Sequence, residues 1–436
     1  MAVTHKQTGC CIVGGGPAGM MLGLLLARAG VETTVLEKHA DFFRDFRGDT
    51  IHPSTLDLID QLDLRSAFLN IPQQSITTLD VVVGGTRLTP VNFGTLRGAN
   101  RRIALMPQWD FLNLLAAQAQ SLNNFHLLMG TEATGLLHGE RSKNSTPSGG
   151  SFTIGSPVTS SPSPVTGVSA VGPDGEVEIT AALTIAADGR DSALRKDVGL
   201  HAKELGAPID VLWFQLPTPP LPPPDTLGYL RGGTMLITIP RPGYYQMGML
   251  IPKDSFSALR EASLASFRER ITSIAPFLST AVAQLVDWDQ VKLLSVQLDR
   301  LDQWSVPGLL CIGDAAHAMS PVFGVGVNYA IQDAVAAARI LAPPLLAGAS
   351  TDAATLQVQR RRQRPVRLMQ PLQQRVHKLL ATGRQDTPLR PWQARLATLA
   401  AKAVQPITAR VVGRGFLPEK LHDGRLLAAP RRKFIM

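Results

Sequence analysis

Cysteine is scarce: the 436 residues include three, Cys10, Cys11 and Cys311. Neighbouring cysteines rarely bridge and three cannot all pair, so no disulfide framework is implied. A reducing compartment, the cytoplasm, is the expected location. No apolar run has the length of a membrane span. The strongest candidate, "CCIVGGGPAGMMLGLLLARAG" at 10–30, is interrupted by glycines and Pro17 and carries Arg28. Lys6 and Leu22–Leu26 imitate a secretory signal without its full charge, core and cleavage pattern. Charged residues make up 18% of the chain against 44% hydrophobic, which excludes a disordered polyelectrolyte. The net charge is +9, yet the basic residues are scattered and cluster only at Arg360–Arg362 and Arg431–Lys433. No zinc spacing or nucleic-acid motif accompanies them, so neither a metal site nor a nucleic-acid partner is expected. A solvated surface and attraction for anionic small molecules explain the charge.

What the chain does contain is three glycine turns. In the first, "CCIV" reads as a buried strand, "GGGPAG" as a turn, "MMLGLLLARAG" as a helix stopped by Gly30, and "VETTVLEK" as the next strand. Gly14, Gly16 and Gly19 form GxGxxG: the first permits the tight turn, the second admits a pyrophosphate to the backbone, and the third lets helix pack on strand. Glu37 ends the second strand, roughly 20 residues on, where a carboxylate can accept hydrogen bonds from a ribose diol. A lone GxGxxG is weak, but this strand, helix and acid context makes it a dinucleotide site rather than an export signal. The other turns, Asp188-Gly189 in "LTIAADGRDSALR" and Gly313-Asp314 in "LLCIGDAAHAMSPVFGVGVNYAIQD", each follow a buried strand. Three such strand ends, far apart in the chain, call for one ligand longer than a mononucleotide.

In this order, GxGxxG with Glu37, "DGRDSALR" and "GDAAHAMSPxxGxGxNxAIQDA" resemble the single-component FAD-dependent monooxygenases of the para-hydroxybenzoate hydroxylase type. "FRGDTIHPSTLDLIDQL" and "MPQWDFLNLLA" resemble two further FAD-contacting segments of that family. The resemblance implies that Gly14, Gly16 and Gly19 hold the pyrophosphate and Glu37 the adenosine ribose. It sets Arg47 and Gln108 along the cofactor, Asp188 and Gly189 in FAD and NAD(P)H handling, and Gly313 and Asp314 at the ribityl chain. Pro321, Gly324, Gly326 and Asn328 would run beside the isoalloxazine, although Val325 stands where the family commonly has Gln. The implied co-substrates are NADH or NADPH, dioxygen and a small molecule, with oxygen transfer through a flavin C(4a)-hydroperoxide.

The expected fold is α/β: a Rossmann-like FAD-binding domain with an inserted antiparallel-sheet substrate domain and a helical C-terminal region. The FAD domain is expected from 1–75, 98–200 and 295–375, the substrate domain from 76–97 and 201–294, and the helical region from 376–436. Residues 77–92 read as a hairpin turning at Gly84-Gly85, and 227–251 as further strands of a roof over the flavin. Residues 139–164 are rich in Ser, Pro, Thr and Gly, and "PTPPLPPP" at 217–224 reads as a stiff connector. The chain is expected to be a monomer or homodimer.

Candidate catalytic groups are few. His52 follows the Arg47 loop and is a candidate base or relay for a phenol, with a structural hydrogen bond as the competing account. Arg231, on a roof strand, is a candidate partner for a substrate carboxylate or phenolate, and Pro321 would sit at the reacting edge of the flavin. His317 reads as structural, and Met235, Met247 and Met249 as packing residues. The stretch "QRRRQRPVRLMQPLQQRVHKLL" has basic and apolar residues at helical spacing. It is expected to pack on the FAD domain, with weak peripheral membrane contact as the alternative. The alternative function is an FAD-dependent epoxidase or dehydrogenase acting on an isoprenoid or polycyclic substrate. "VLWFQLP" does not match the WxWxIP motif of flavin-dependent halogenases.

Overall fold

The computed structural model describes residues 3–43, 50–139, 163–220, 228–241, 243–382 and 389–421. Arg47, most of the Ser/Pro-rich segment and the end of the proline-rich connector lie outside the described residues.

The opening segment folds as strand Thr4–Val13, helix Pro17–Arg28 and strand Thr33–Glu37. Pro17 takes the first helical position, where a missing N–H leaves no bond unmade. At the other end Gly30 adopts a φ of +98°. Its N–H donates to Ala27 and that of Val31 to Leu26, each at 3.0 Å, closing a Schellman cap. Met20, Met21, Leu22, Leu25 and Leu26 are all buried, because the helix is packed against both the sheet and the helices Gln108–Gln120 and Gly326–Leu346. Burial on every side explains why it lacks a polar face and imitates a signal sequence.

Among the described residues, eight strands form the sheet beneath this helix. Strands Leu309–Cys311, Gly175–Ala186, Thr4–Val13, Thr33–Glu37 and Phe125–Met129 are parallel neighbours. Their register places Cys311, Ala186, Val13 and Leu36 in one row. The three glycine turns therefore open on one edge, the carboxyl end of a parallel sheet, where α/β proteins bind ligands. Backbone bonds stitch the turns together: Ala187 N–H to Val13 and Gly14 N–H to Leu36, each at 2.8 Å, and Ile312 N–H to Ala186 at 3.0 Å. Cys10, Cys11 and Cys311 are free and buried in these strands, and burial raises their thiol pKa values, to about 12 for Cys11.

A second, seven-stranded sheet runs in the order 292–294, 209–217, 244–252, 234–241, 228–231, 78–83 and 86–92. Its last two strands are the expected hairpin, with Gly84 and Gly85 at φ of +53° and +76°. In strand Ile209–Pro217 the side chains alternate. Leu212, Phe214 and Leu216 enter a core with Phe267 and Ile271 of helix Leu264–Ile274, whereas Ile209, Val211 and Trp213 face a cavity.

The basic and apolar stretch "QRRRQRPVRLMQPLQQRVHKLL" lies in helix Asp352–Thr382, which packs on helix Gly326–Leu346. Val366, Met369, Gln370, Gln373 and His377 are fully buried, and buried Arg362 pairs with Asp333 at 2.8 Å. The last helix, Pro391–Arg414, lies against strand Thr86–Asn92 of the second sheet. Among the described residues no helix is long and apolar enough to cross a membrane.

Candidate active site

At the carboxyl edge of the first sheet the three motif glycines have different physical jobs. Gly14 has a φ of +110°, and a Cβ there would lie 2.2 Å from the Ala187 carbonyl oxygen. A Cβ on Gly19 would lie 1.9 Å from the carbonyl oxygen of Gly14, so any side chain would push the helix off its strand. At Gly16 a Cβ would meet nothing within 4 Å and would project into open space at the helix N-terminus. Gly16 thus leaves the first-turn N–H groups open to an anion. Glu37 stands beside them: its Oε2 accepts from Gly15 N–H and its Oε1 from His39 N–H, both at 3.0 Å.

A cavity of about 720 Å³ runs from this turn, past the second and third motifs, to the inner face of the seven-stranded sheet. Gly14, Gly16, Glu37, Gln108, Asp188, Gly189, Asp314, Pro321, Gly324 and Gly326 line it. Gln108 begins helix Gln108–Gln120. Asp188 is partly committed: its Oδ2 accepts from the N–H groups of Ala193 and Leu194 at 2.9 and 3.4 Å, capping a short helix. Burial raises its pKa despite those bonds. Between the motifs, Arg190 lies 3.4 Å from Asp314, and both line the cavity. Buried Arg195 links the two turns by donating to the Arg190 carbonyl at 2.9 Å and the Ala315 carbonyl at 3.1 Å. Neither Arg190 nor Arg195 carries a local signal of its role, although both stand in "DGRDSALR".

Five expected site residues do not line the cavity, the first being Gly19, which is packed against the Gly14 carbonyl behind the turn. Gly313, at φ +60°, packs against Ala18 and donates its N–H to Asp333 at 3.1 Å. Asn328 is buried, with its side-chain oxygen accepting from His52 N–H and the Thr55 hydroxyl. His52 is fully buried with Nδ1 2.8 Å from the Val412 carbonyl oxygen, one of the carbonyls left open at the end of the last helix. Burial lowers its pKa to about 4, and its ring lies behind Gly324 without lining the cavity. Arg231 is likewise corrected: its guanidinium is exposed and donates to the Ser273 carbonyl on a helix that covers the sheet's other face. Arg47 lies outside the described residues. His317 is structural: its Nε2 is 2.6 Å from Asp333 Oδ2. Burial alone would raise the Asp333 pKa, but His317 and Arg362 hold it below the ordinary value.

The loop between the third motif and helix Gly326–Leu346 is held from behind by helix Asp352–Thr382, a support no local motif announces. Gln373 accepts from Ser320 N–H at 3.3 Å and donates to the Ser320 and Val322 carbonyls at 3.0 and 3.1 Å. Ser320 Oγ lies 2.6 Å from Nε2 of His377, whose pKa burial lowers to about 4. These bonds steady a strained segment, since Phe323 and Gly324 have φ of +70° and +62°. Thr50 Oγ1 adds a bond to the Gly324 carbonyl at 2.9 Å.

Where the cavity meets the second sheet, its wall is largely apolar, with Val81, Val91, Val211, Trp213, Met235, Ile237 and Leu250 among the lining residues. One end thus suits phosphates and a ribose, and the other a hydrophobic ligand. The open space at Gly16 and the clearance that Gly14 and Gly19 preserve fit an FAD pyrophosphate at the first end.

Comparison with known proteins agrees with this geometry. Residues 7–371 match the family described as an FAD binding domain. The 6-methylpretetramide 4-monooxygenase of Streptomyces rimosus is 30% identical, over 90% of this chain and 89% of its own. The aklavinone 12-hydroxylase DnrF of Streptomyces peucetius is 26% identical, over 76% of this chain and 67% of its own. Among solved structures, PqsL of P. aeruginosa in complex with 2-aminobenzoylacetate superposes with a TM-score of 0.71 at 19% identity, covering 87% of this chain and 98% of that one. The OxyS anhydrotetracycline hydroxylase of Streptomyces rimosus gives 0.68 at 20% identity, covering 94% of this chain and 76% of that one.

Proposed function

This chain belongs to the group A flavoprotein monooxygenases and is an FAD-dependent monooxygenase, and we propose that it uses NADH or NADPH and dioxygen to hydroxylate an electron-rich aromatic small molecule of several rings. The observation that carries this reading is the continuity of one cavity between the glycine turn and the apolar wall of the second sheet. The relatives named for 6-methylpretetramide and aklavinone support a substrate of that kind. FAD, when bound, supplies electron transfer from the nicotinamide and activation of dioxygen.

The protein's own part is binding, orientation and exclusion of water. The N–H groups and dipole at the start of helix Pro17–Arg28 would bind the pyrophosphate. Glu37 would accept from the adenosine ribose while keeping the turn in shape through Gly15. Gln108, Asp188 and Asp314, the last beside Arg190, would line the middle of the cofactor, and Pro321 to Gly326 its ring end. The apolar strands would hold the substrate's flat surface and keep bulk water from the reacting oxygen. A division into an FAD domain, a substrate domain and a C-terminal helical region, with cytoplasmic location, belongs to the same proposal.

Anaerobic mixing of the purified yellow protein with NADH and with NADPH tests it. Bleaching of the bound flavin, faster with a multi-ring phenol present, is the expected result. Bound FAD that neither nicotinamide reduces, with or without a phenol, would overturn the reading.

A further inference from the structure

One row of residues crosses the cavity face of the seven-stranded sheet: Val81, Gly228, Ile237, Gly248 and Trp213, each opposite the next. Two of the five are glycines, and each leaves a gap that a neighbouring side chain enters: the Cε of Met235 lies over Gly228. The indole of Trp213 uses one of these gaps. A Cβ built on Gly248 would lie 3.2 and 3.3 Å from Cζ3 and Cη2 of Trp213, which puts the six-membered edge of the ring over the glycine. Trp213 therefore leans along the sheet instead of standing away from it. It joins the apolar cluster of Ile209, Val211 and Leu250 to that of Ile103, Leu105 and Ile239. Phe323 of the strained loop packs against the same cluster of Ile103, Leu105 and Ile239 and also lines the cavity.

The indole is held by packing alone, since its buried Nε1 has no hydrogen-bond partner among the described residues. Tilting the ring to meet a ligand breaks no polar bond, while its face offers a large, rigid stacking area.

We propose that Trp213, seated over Gly248, is the stacking platform that sets this enzyme's preference for fused-ring over single-ring substrates. This rests on the reading that the chamber takes the aromatic substrate. A three-ring ligand overlaps the whole indole, whereas a single ring gains little from it. Gly248 is the second half of the device, because any side chain there must displace the ring.

The test compares the binding of 1,8-dihydroxyanthraquinone and 4-hydroxybenzoate to the FAD-loaded enzyme, followed by perturbation of the flavin spectrum. Trp213→Ala is expected to weaken the anthraquinone by about tenfold while changing the single-ring probe by less than about threefold. Gly248→Ala should shift the same ratio in the same direction by a smaller factor. The readout is a ratio within one preparation, so partial loss of folded protein cancels, and Trp213→Phe, retaining a smaller ring, should fall between. Equal effects on both probes, or none, would overturn the proposal. A wild-type enzyme that binds neither probe would overturn it too. Reduction of the flavin by NAD(P)H in that preparation would then show whether the monooxygenase reading falls with it.

Discussion

The side-chain oxygen of Asn328 lies 3.0 Å from the main-chain nitrogen of His52 and 2.7 Å from the hydroxyl of Thr55. One amide thus satisfies two donors at the start of helix Pro53–Gln61 and fixes the start of helix Gly326–Leu346 against it. The loop ending at Gly326 takes its position from this joint. Asn328→Ala would leave both donors buried and unpaired, a loss of about 2 kcal/mol. The expected outcome is a lower melting temperature together with weaker FAD retention on gel filtration. Unchanged retention would mean that the loop is positioned independently of Asn328.

The glycines of the first turn separate cofactor binding from folding. Gly19→Ala drives a methyl into the Gly14 carbonyl and should destabilise even the FAD-free protein by about 3 kcal/mol. Gly16→Ala meets open space, so the FAD-free protein should melt as wild type while FAD affinity falls. Thermal melts of stripped protein, paired with FAD titration, check both. A Gly16→Ala variant with wild-type affinity would contradict the assignment of the pyrophosphate to that surface.

Glu37 is proposed to bind ribose, but it also accepts from Gly15 and His39. Glu37→Gln turns an NH₂ toward one of those N–H groups, so it should be no more benign than Glu37→Ala. Either variant is expected to lose about ten- to a hundredfold in FAD affinity. Fluorescence titration of the apoprotein with FAD measures it, and a change below threefold on the same curve would count against Glu37 as the ribose acceptor.

Buried His52 gives the stability a pH dependence of fixed sign. Its folded pKa of about 4 is below the usual value, so the unfolded chain binds more protons in the window between about 4 and 6.5. Its contribution is complete above that window and is lost as pH falls through it. Between pH 7.5 and 4.5 the wild type should lose about 2 to 3 kcal/mol more than His52→Gln, as read by urea unfolding. Comparing the two proteins cancels the other titrating groups. Parallel curves would show that His52 does not titrate on unfolding. Arg231→Ala, at an exposed side chain away from the cavity, should leave unfolding within about 0.5 kcal/mol of wild type.

Much of the eight-stranded sheet and its turns was legible in the sequence because backbone geometry forced their signals. Gly14 and Gly19 have no room for a side chain, and the strands leading to Asp188 and Gly313 are continuous apolar runs. The hairpin at Gly84-Gly85 was legible for the same reason. What was not legible depended on partners far along the chain. His52 reads as a free base until Val412, from the last helix, is placed against its ring. Asn328 stands in a cofactor motif but spends its amide on His52 and Thr55. Ser320 and His377 are 57 positions apart, and nothing local marks them as a pair. On the second sheet the hairpin and the strands within 227–251 were legible, strand Ile209–Pro217 was not singled out, and which side of Trp213 or Arg231 faced the cavity depended on register. In that strand Val211 and Trp213 alternate with Leu212 and Phe214, and only the helices that cover one face decide which set turns inward.

The reaction proposed for this site is oxygen transfer from dioxygen to an aromatic ring. Its most direct measurement is product mass after turnover with NADH or NADPH, isotopically labelled dioxygen and a panel of fused-ring phenols. At least one phenol is expected to accelerate nicotinamide oxidation and to gain a single labelled oxygen atom. Nicotinamide oxidation that yields only hydrogen peroxide across the panel, or a product oxidised without label, would contradict it.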